Sequence, residues 1–305
     1  MAHSNRHILV VSHAAQEESL DALALVCTQL RAHNIMPVVR EGELADLESQ
    51  HPELAPLLSL ESGVELDALE CAIVLGGDGT ILRAAELLRD SQAPLVGINL
   101  GHVGFLAETE RSGLSDAVAR VIAGAYEVEE RLTLAVRVKQ GGTVVFETWA
   151  LNEATVEKAS RSRILEVVIE VDRRPLSSFS CDGVVMATPT GSTAYSFSAG
   201  GPIVWPSVDA MVLVPMQAHA LFARPLVVGP ESSMAVEILP RSGSEGILWC
   251  DGRRSCDLPA GSRVVVTKSS VPVRLARLAP QAFTDRLVTK FDLSVDGWRG
   301  PTTRD

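Results

Sequence analysis

Two kinds of hydrophobic pattern follow one another along this chain, and together they predict its fold class. Up to about residue 123, short apolar runs alternate with stretches whose apolar residues recur at helical spacing, which is the signature of a parallel, helix-covered sheet. After about Arg131 the pattern changes to short period-two segments separated by turn residues, the signature of antiparallel strands in packed sheets. A third observation fixes the first pattern: Cys71–Leu75 is an apolar run that breaks into Gly76-Gly77-Asp78-Gly79 and resumes at helical spacing with Ile81, Leu82, Ala85 and Leu88. The prediction is an α/β N-terminal domain, Rossmann-like but without the G-x-G-x-x-G fingerprint, followed by an antiparallel all-β C-terminal domain.

Taken in order, Ile8–Ser12 reads as a buried strand. Gln16 to His33 reads as an amphipathic helix with Leu20, Leu23, Cys27 and Leu30 inside and Glu17 and Glu18 matching its dipole. Asn34 can end it, and Ile35–Val39 is the second strand. The acidic stretch from Glu41 to Glu70 reads as a solvated face or loop. Strand 71–75, helix 80–89 and strand 95–98 follow, and a helix near Ser112 to Ala123 closes the domain. Strand-like segments then occupy 132–139, 144–149, 164–171, 226–228, 234–238, 247–250, 263–267 and 272–278. The expected division is therefore 1–131 (α/β), 132–280 (β) and 281–305, a tail with scattered apolar residues such as Leu287, Phe291 and Trp298 that is expected to dock back on the first domain.

Composition narrows the function. A net charge of −11 argues against nucleic acid or an anionic membrane surface as the main partner. No apolar run reaches the ~18 residues that a membrane-spanning helix needs. The polar start of the chain predicts no signal peptide. Five scattered cysteines without a C-x-x-C pair indicate neither a disulfide framework nor a zinc knuckle, and predict a reducing, cytoplasmic setting.

Three constellations carry chemistry. The first is the glycine turn at 76–79, where backbone N–H groups and a helix start can face an anion. Asp78 is out of place in a phosphate cradle unless it serves as a base toward a hydroxyl or holds a metal; simple helix capping is the structural alternative. Arg83, one turn on, can reach a phosphate or be merely solvated. A second glycine loop, Asn99 to Leu106, leaves the C-terminal edge of the next strand, where open α/β sheets bind ligands. The second constellation is Thr188-Pro189-Thr190-Gly191-Ser192-Thr193-Ala194-Tyr195-Ser196-Phe197-Ser198, whose hydroxyls suit a polyhydroxyl, phosphate-bearing ligand and whose Tyr195 offers a flat face to a base. These hydroxyls are too many all to be core. The third is Asn152-Glu153, an amide and a carboxylate able to grip ribose hydroxyls, although by itself a surface turn explains the pair better. Arg163 and Asp182 acquire meaning only within a larger pattern.

That pattern is GGDGT, NLGHVGFL, NE and DGVVMATPTGSTAYSFSAGGPIV in this order, and it resembles the NAD kinase family, in its bacterial ATP/polyphosphate-dependent branch, from about residue 8 to 300. GGDGT by itself is shared with lipid kinases; the TPTGSTAYSFSAGGP stretch is far more specific, and an acidic chain offers no membrane-facing surface for a lipid kinase. The resemblance implies transfer of a phosphoryl group from ATP to the 2′-hydroxyl of the adenosine ribose of NAD, with Asp78 as proton acceptor. It implies a divalent cation, Mg²⁺ or Mn²⁺, travelling with the phosphates, and no metal ligand is assigned. It places NAD contacts on Asp78, Gly79, Arg83, Asn152, Glu153, Arg163, Asp182, Thr193, Ala194, Tyr195, Ser196, Phe197 and Ser198, with Phe105 beside the ligand, and it implies a homo-oligomer, dimer or tetramer. Ala218 and Arg253 depart from the residues common in relatives, proline and glutamine.

Overall fold

The computed structural model describes residues 6–12, 17–101, 104–160, 162–221, 223–280 and 282–295. The side chains of Glu17 and Glu18, residues His102 and Val103 of the second glycine loop, and Trp298 lie outside the described residues, as does the tail beyond 295. The chain divides into two compact units, 1–130 with 274–305 and 131–273.

The first unit runs β1 (Arg6–Ser12), α1 (Glu17–Ala32), β2 (Ile35–Val39), α2 (Glu41–Gln50), β3 (Leu58–Ser59), β4 (Leu69–Leu75), α3 (Asp78–Leu87), β5 (Leu95–Asn99), β6 (Thr109–Glu110), α4 (Leu114–Ile122) and β7 (Glu127–Arg131). In the second, β8 (Leu134–Gln140), β9 (Thr143–Ala150), β10 (Glu153–Lys158), β11 (Leu165–Val171), β12 (Arg174–Cys181) and β13 (Gly183–Ala187) precede the one-turn helix α5 (Tyr195–Ser198). Then come β14 (Met211–Met216), β15 (Leu226–Val228), β16 (Met234–Ile238), β17 (Gly246–Cys250), β18 (Arg254–Leu258) and β19 (Arg263–Lys268). The chain returns to the first unit with β20 (Val273–Arg277) and α6 (Phe283–Phe291).

The sheet of the first unit is ordered β3-β2-β1-β4-β5-β20-β7, with β6 beside β5. Strands β1, β2, β4 and β5 pair in parallel. Their apolar runs, from Ile8–Val11 through Cys71–Leu75 to Val96 and Ile98, are almost wholly buried because helices cover the sheet. The order reverses between β1 and β4: β2 and β3 lie to one side, β5 to the other. Such a reversal opens a crevice at the C-terminal ends of the two central strands, where Ser12 and Leu75 are register partners. The glycine turn leaves β4 at that point.

Two expectations are corrected here. Segment 272–278, expected in the β domain, is β20 of the parallel sheet, with Leu275 opposite Leu95. Its period-two pattern fits a strand of either sheet; what differs is burial on both faces, with Leu275 and Ala276 both almost fully enclosed. Of the two readings of the acidic stretch 41–70 the solvated face holds, with Glu41, Asp46, Glu48, Glu53, Glu61, Glu65 and Asp67 exposed, while the plain loop does not, since the stretch holds α2 and β3 and Leu47, Leu54 and Leu57 join the core.

The second unit stacks two six-stranded sheets, β15-β14-β13-β10-β17-β18 and β12-β11-β16-β19-β8-β9. Alternate residues of each, including Val136, Val138, Ala154, Val156, Val167, Met186, Leu213 and Val236, interdigitate between the sheets. The opposite face of β10 carries Glu153, Thr155 and Glu157, because side chains alternate along a strand. There the neighbouring β13 and β14 contribute a smaller apolar patch of Val185, Ala187, Val212 and Val214, joined by Val204 and Ala210.

Candidate active site

In the first unit the turn after β4 is built by steric necessity. Gly76 has φ +154°, and a Cβ there would lie 2.5 Å from Thr80 Oγ1. Gly77 takes the N-cap position of α3 and Asp78 begins the helix, yet the Asp78 side chain does not cap it. Instead its carboxylate reaches across to the second glycine loop. Oδ2 accepts from the Phe105 N–H at 3.1 Å and Oδ1 from the Leu106 N–H at 3.2 Å. A Cβ on Gly104 would sit 2.3 Å from Asp78 Oδ1, so only glycine admits the carboxylate. Each oxygen accepts one amide and keeps further lone-pair capacity. Asp78 is half-buried and Gly79 exposed.

Arg83 donates to the carbonyl of Ser12 at 2.7 Å, tying α3 across the switch point to the end of β1. The ring of Phe105, expected beside the ligand, packs against α6: its centroid lies 6.0 Å from that of Phe283 and 5.7 Å from that of Phe291. Among the described residues no group of three His, Cys, Asp or Glu side chains could enclose a metal. The donor set at the turn, a single carboxylate with spare lone pairs, fits a hard divalent cation that takes most of its ligands from phosphates.

In the second unit Asn152 and Glu153 sit at a corner that the sequence left unexplained. Asp251 gathers three successive backbone amides, Leu151 at 2.9 Å, Asn152 at 2.7 Å and Glu153 at 3.3 Å. Its other partner is Arg254, at 2.6 Å, whose guanidinium lies 4.5 Å from the centre of the Trp149 ring. The Asp251 side chain is 2% exposed. Burial pushes its carboxyl above the ordinary range, while the three amides and Arg254 pull against that. No local signal in the sequence says where the Asp251 carboxylate points.

Glu153 is itself buried, and one of its oxygens, Oε2, has no hydrogen-bond partner among the described residues. Burial first and the Asp251 charge second push its carboxyl up to about 8, although the Tyr195 backbone N–H favours the ionised form. That amide brings the hydroxyl-rich loop to the Asn152–Glu153 corner. So does Thr188, whose N–H donates to the Asn152 carbonyl at 2.9 Å and whose hydroxyl donates to the Leu151 carbonyl at 2.5 Å. Gly191 passes so close to Asn152 that a Cβ would lie 2.0 Å from its carbonyl oxygen.

The hydroxyls divide into two groups. Thr188, Thr190, Ser192 and Ser196 are buried; Ser192 is spent on the backbone, donating to Pro189 and accepting from the Val204 N–H. Thr193 is half-buried, and Tyr195, Phe197 and Ser198 are exposed. Burial, with Glu157, Glu153 and Asp182 nearby, raises the Tyr195 phenol above its usual value. Asp182 is held by Lys158 at 2.6 Å, a partner that sequence reading did not name. Arg163 donates to the Gly243 carbonyl. The fold thus gathers Asn152, Glu153, Asp182 and 193–198 around Tyr195 in one unit, and Asp78, Gly79 and Arg83 at the switch point of the other.

A glycine turn presenting a carboxylate at the switch point of a parallel sheet suits a protein that binds a phosphate-bearing ligand beside a group able to accept a proton. Residues 8–126 match the model of the ATP-NAD kinase N-terminal domain and residues 151–278 that of the ATP-NAD kinase C-terminal domain. The chain is 65% identical over 302 residues to the NAD kinase of Leifsonia xyli, covering 99% of both. It is 52% identical over 302 residues to that of Thermobifida fusca, covering 97% of this chain and 92% of that one. Among solved structures it is similar to a yeast NADH kinase complexed with NADH (TM-score 0.84, 22% identity, 95% of this chain and 89% of that one), a likeness of fold. It is also similar to an NAD kinase from Archaeoglobus fulgidus in complex with ATP (TM-score 0.66, 25% identity, 88% and 92%). The chain belongs to the ATP-NAD kinase family.

Proposed function

We propose that this enzyme transfers the γ-phosphoryl group of ATP to the 2′-hydroxyl of the adenosine ribose of NAD, forming NADP and ADP. The observation that carries the reading is Asp78, which begins a helix at the switch point with its carboxylate fixed by two loop amides and open to a further hydrogen bond. In the proposed step the ribose oxygen attacks the γ-phosphorus, its proton passes to Asp78, and the bond to the ADP oxygen breaks. Gly77, Gly79 and the amides opening α3 face the phosphates, and Arg83 adds positive charge nearby. A bound Mg²⁺ or Mn²⁺ supplies neutralisation of phosphate charge.

NAD is placed on Asn152, Glu153, Asp182 and Thr193 to Ser198, with the Tyr195 ring against a base and Arg163 toward a phosphate. Support comes from the way the Glu153 carboxyl and the Tyr195 amide meet at one corner. In this reading the enzyme is a cytoplasmic homo-oligomer; no helix among the described residues is long and apolar enough to cross a membrane.

Purified protein with NAD, Mg²⁺ and ATP is expected to form NADP, followed by a glucose-6-phosphate dehydrogenase-coupled assay. Parallel reactions with polyphosphate, with Mn²⁺ and with chelator define the donor and the metal. Tight NAD binding without NADP formation would replace the kinase by a dinucleotide sensor.

A further inference from the structure

We infer that Arg286, on the C-terminal helix α6, is a positioning residue for Asp78 and acts through the segment Phe105–Ala107. The inference rests on Asp78 being the proton acceptor. Arg286 Nη1 donates to the carbonyl of Phe105 at 2.6 Å and to that of Ala107 at 2.8 Å. Its Nη2 donates to Glu108 at 3.2 Å. The Arg286 side chain is only 10% exposed and the Glu108 side chain 2%.

The decisive relation is within one peptide group. The Phe105 carbonyl and the Leu106 N–H belong to the same planar unit. Arg286 grips its oxygen, and Asp78 Oδ1 accepts from its nitrogen at 3.2 Å. Tilting that plane moves both ends together. Because the guanidinium is a rigid fork, the second bond, to Ala107, removes the remaining freedom of rotation about the first. The fork itself is fixed from behind. Glu108 is held by Arg277 and by the Leu278 N–H at 2.9 Å, and its own N–H donates to Gly97 of β5 at 2.7 Å. The rings of Phe283 and Phe291 bracket Phe105, so α6 also holds the residue whose N–H feeds Asp78 Oδ2. The loop that orients the carboxylate is thus clamped by a helix nearly two hundred residues away in sequence, with no Arg286 atom on Asp78 itself.

A purely structural clamp would lower stability without involving Asp78 in particular. A double-mutant cycle on NADP formation separates the two roles. Arg286→Met is expected to lower kcat at least about tenfold with KM for NAD within about threefold, and Arg286→Lys to recover part of the loss. In an Asp78→Glu background, where the carboxylate no longer matches the two amides, Arg286→Met is expected to change the remaining turnover by less than about twofold. Equal factors in both backgrounds, or a folded Arg286→Met enzyme with kcat within about twofold of the parent, would overturn the inference. If Arg286→Met does not fold, Arg286→Lys runs the same cycle. Gly104→Ala, whose new Cβ displaces Asp78 directly, should reproduce the kcat loss with Arg286 in place. The failures are distinguishable: a parent enzyme that makes no NADP rejects the kinase reading, and an Asp78→Asn enzyme of unchanged turnover rejects the proton acceptor and this inference with it.

Discussion

Asp78 and Asp251 solve the same local problem in opposite ways. Each lies where a strand runs into a turn, and each accepts backbone amides from a segment remote in sequence. Asp78 accepts two amides, has no ion pair among the described residues, and stays half-buried. Asp251 accepts three, is closed off by Arg254 stacked on Trp149, and is almost fully enclosed. A carboxylate with spare lone pairs can take a proton from a substrate; one whose oxygens are consumed by the protein can only hold the protein in shape. The contrast supports the proposed chemistry at the first unit's aspartate and gives the second's an architectural part.

Substitution breaks this comparison most directly at Asp78. Asp78→Asn is expected to cut turnover by about 10²–10⁴-fold, the range typical of a lost general base. NAD affinity should stay within about tenfold, roughly 1.4 kcal/mol, and the melting temperature close to that of the parent. Coupled assay, calorimetric titration and thermal denaturation check the three parts. Unchanged turnover would remove Asp78 from the chemistry. Asp251→Ala is expected to act the other way, lowering stability by about 3–5 kcal/mol because Arg254 and three amides lose their partner. Urea unfolding measures the loss. A stable Asp251→Ala enzyme would show that Arg254 and Trp149 hold the corner without it.

Glu153 sharpens the comparison with a smaller effect. It is enclosed like Asp251, yet one oxygen is unmatched. Its carboxyl is raised to about 8 in the folded chain, against the usual 4.5. Between those values the folded state holds a proton that the unfolded state has released. Its contribution to stability therefore falls as pH rises through that window, by at most about 1.4 kcal/mol per pH unit. Urea midpoints from pH 5 to 8 should decline less in Glu153→Gln than in the parent. Parallel slopes would mean that Glu153 is ionised throughout.

Much of both corners could be read from residue order, and particular residues show where that stopped. Gly76 to Thr80 announced a turn after a buried strand, and the hydroxyl run around Tyr195 announced an unusual loop, because both are signals within a dozen residues. Asp251, Lys158 and Arg286 stayed silent. Each acts on a partner tens to almost two hundred residues away, at Leu151, Asp182 and Phe105, and an isolated Asp, Lys or Arg in sequence reads as surface. Likewise β20 carries a strand pattern that fits either unit, and its place between β5 and β7 assigns it.

The sequence by itself determined the two-part fold, through a hydrophobic period that changes near Arg131, and the candidates for the reacting groups, through short glycine- and hydroxyl-rich motifs. Tertiary structure alone decided how those groups are aimed. Period and motif are properties of neighbours along the chain, whereas the orientation of a carboxylate depends on amides and guanidinium groups that folding brings from elsewhere. For Asp78, that means the Phe105 and Leu106 amides and the α6 arginine behind them.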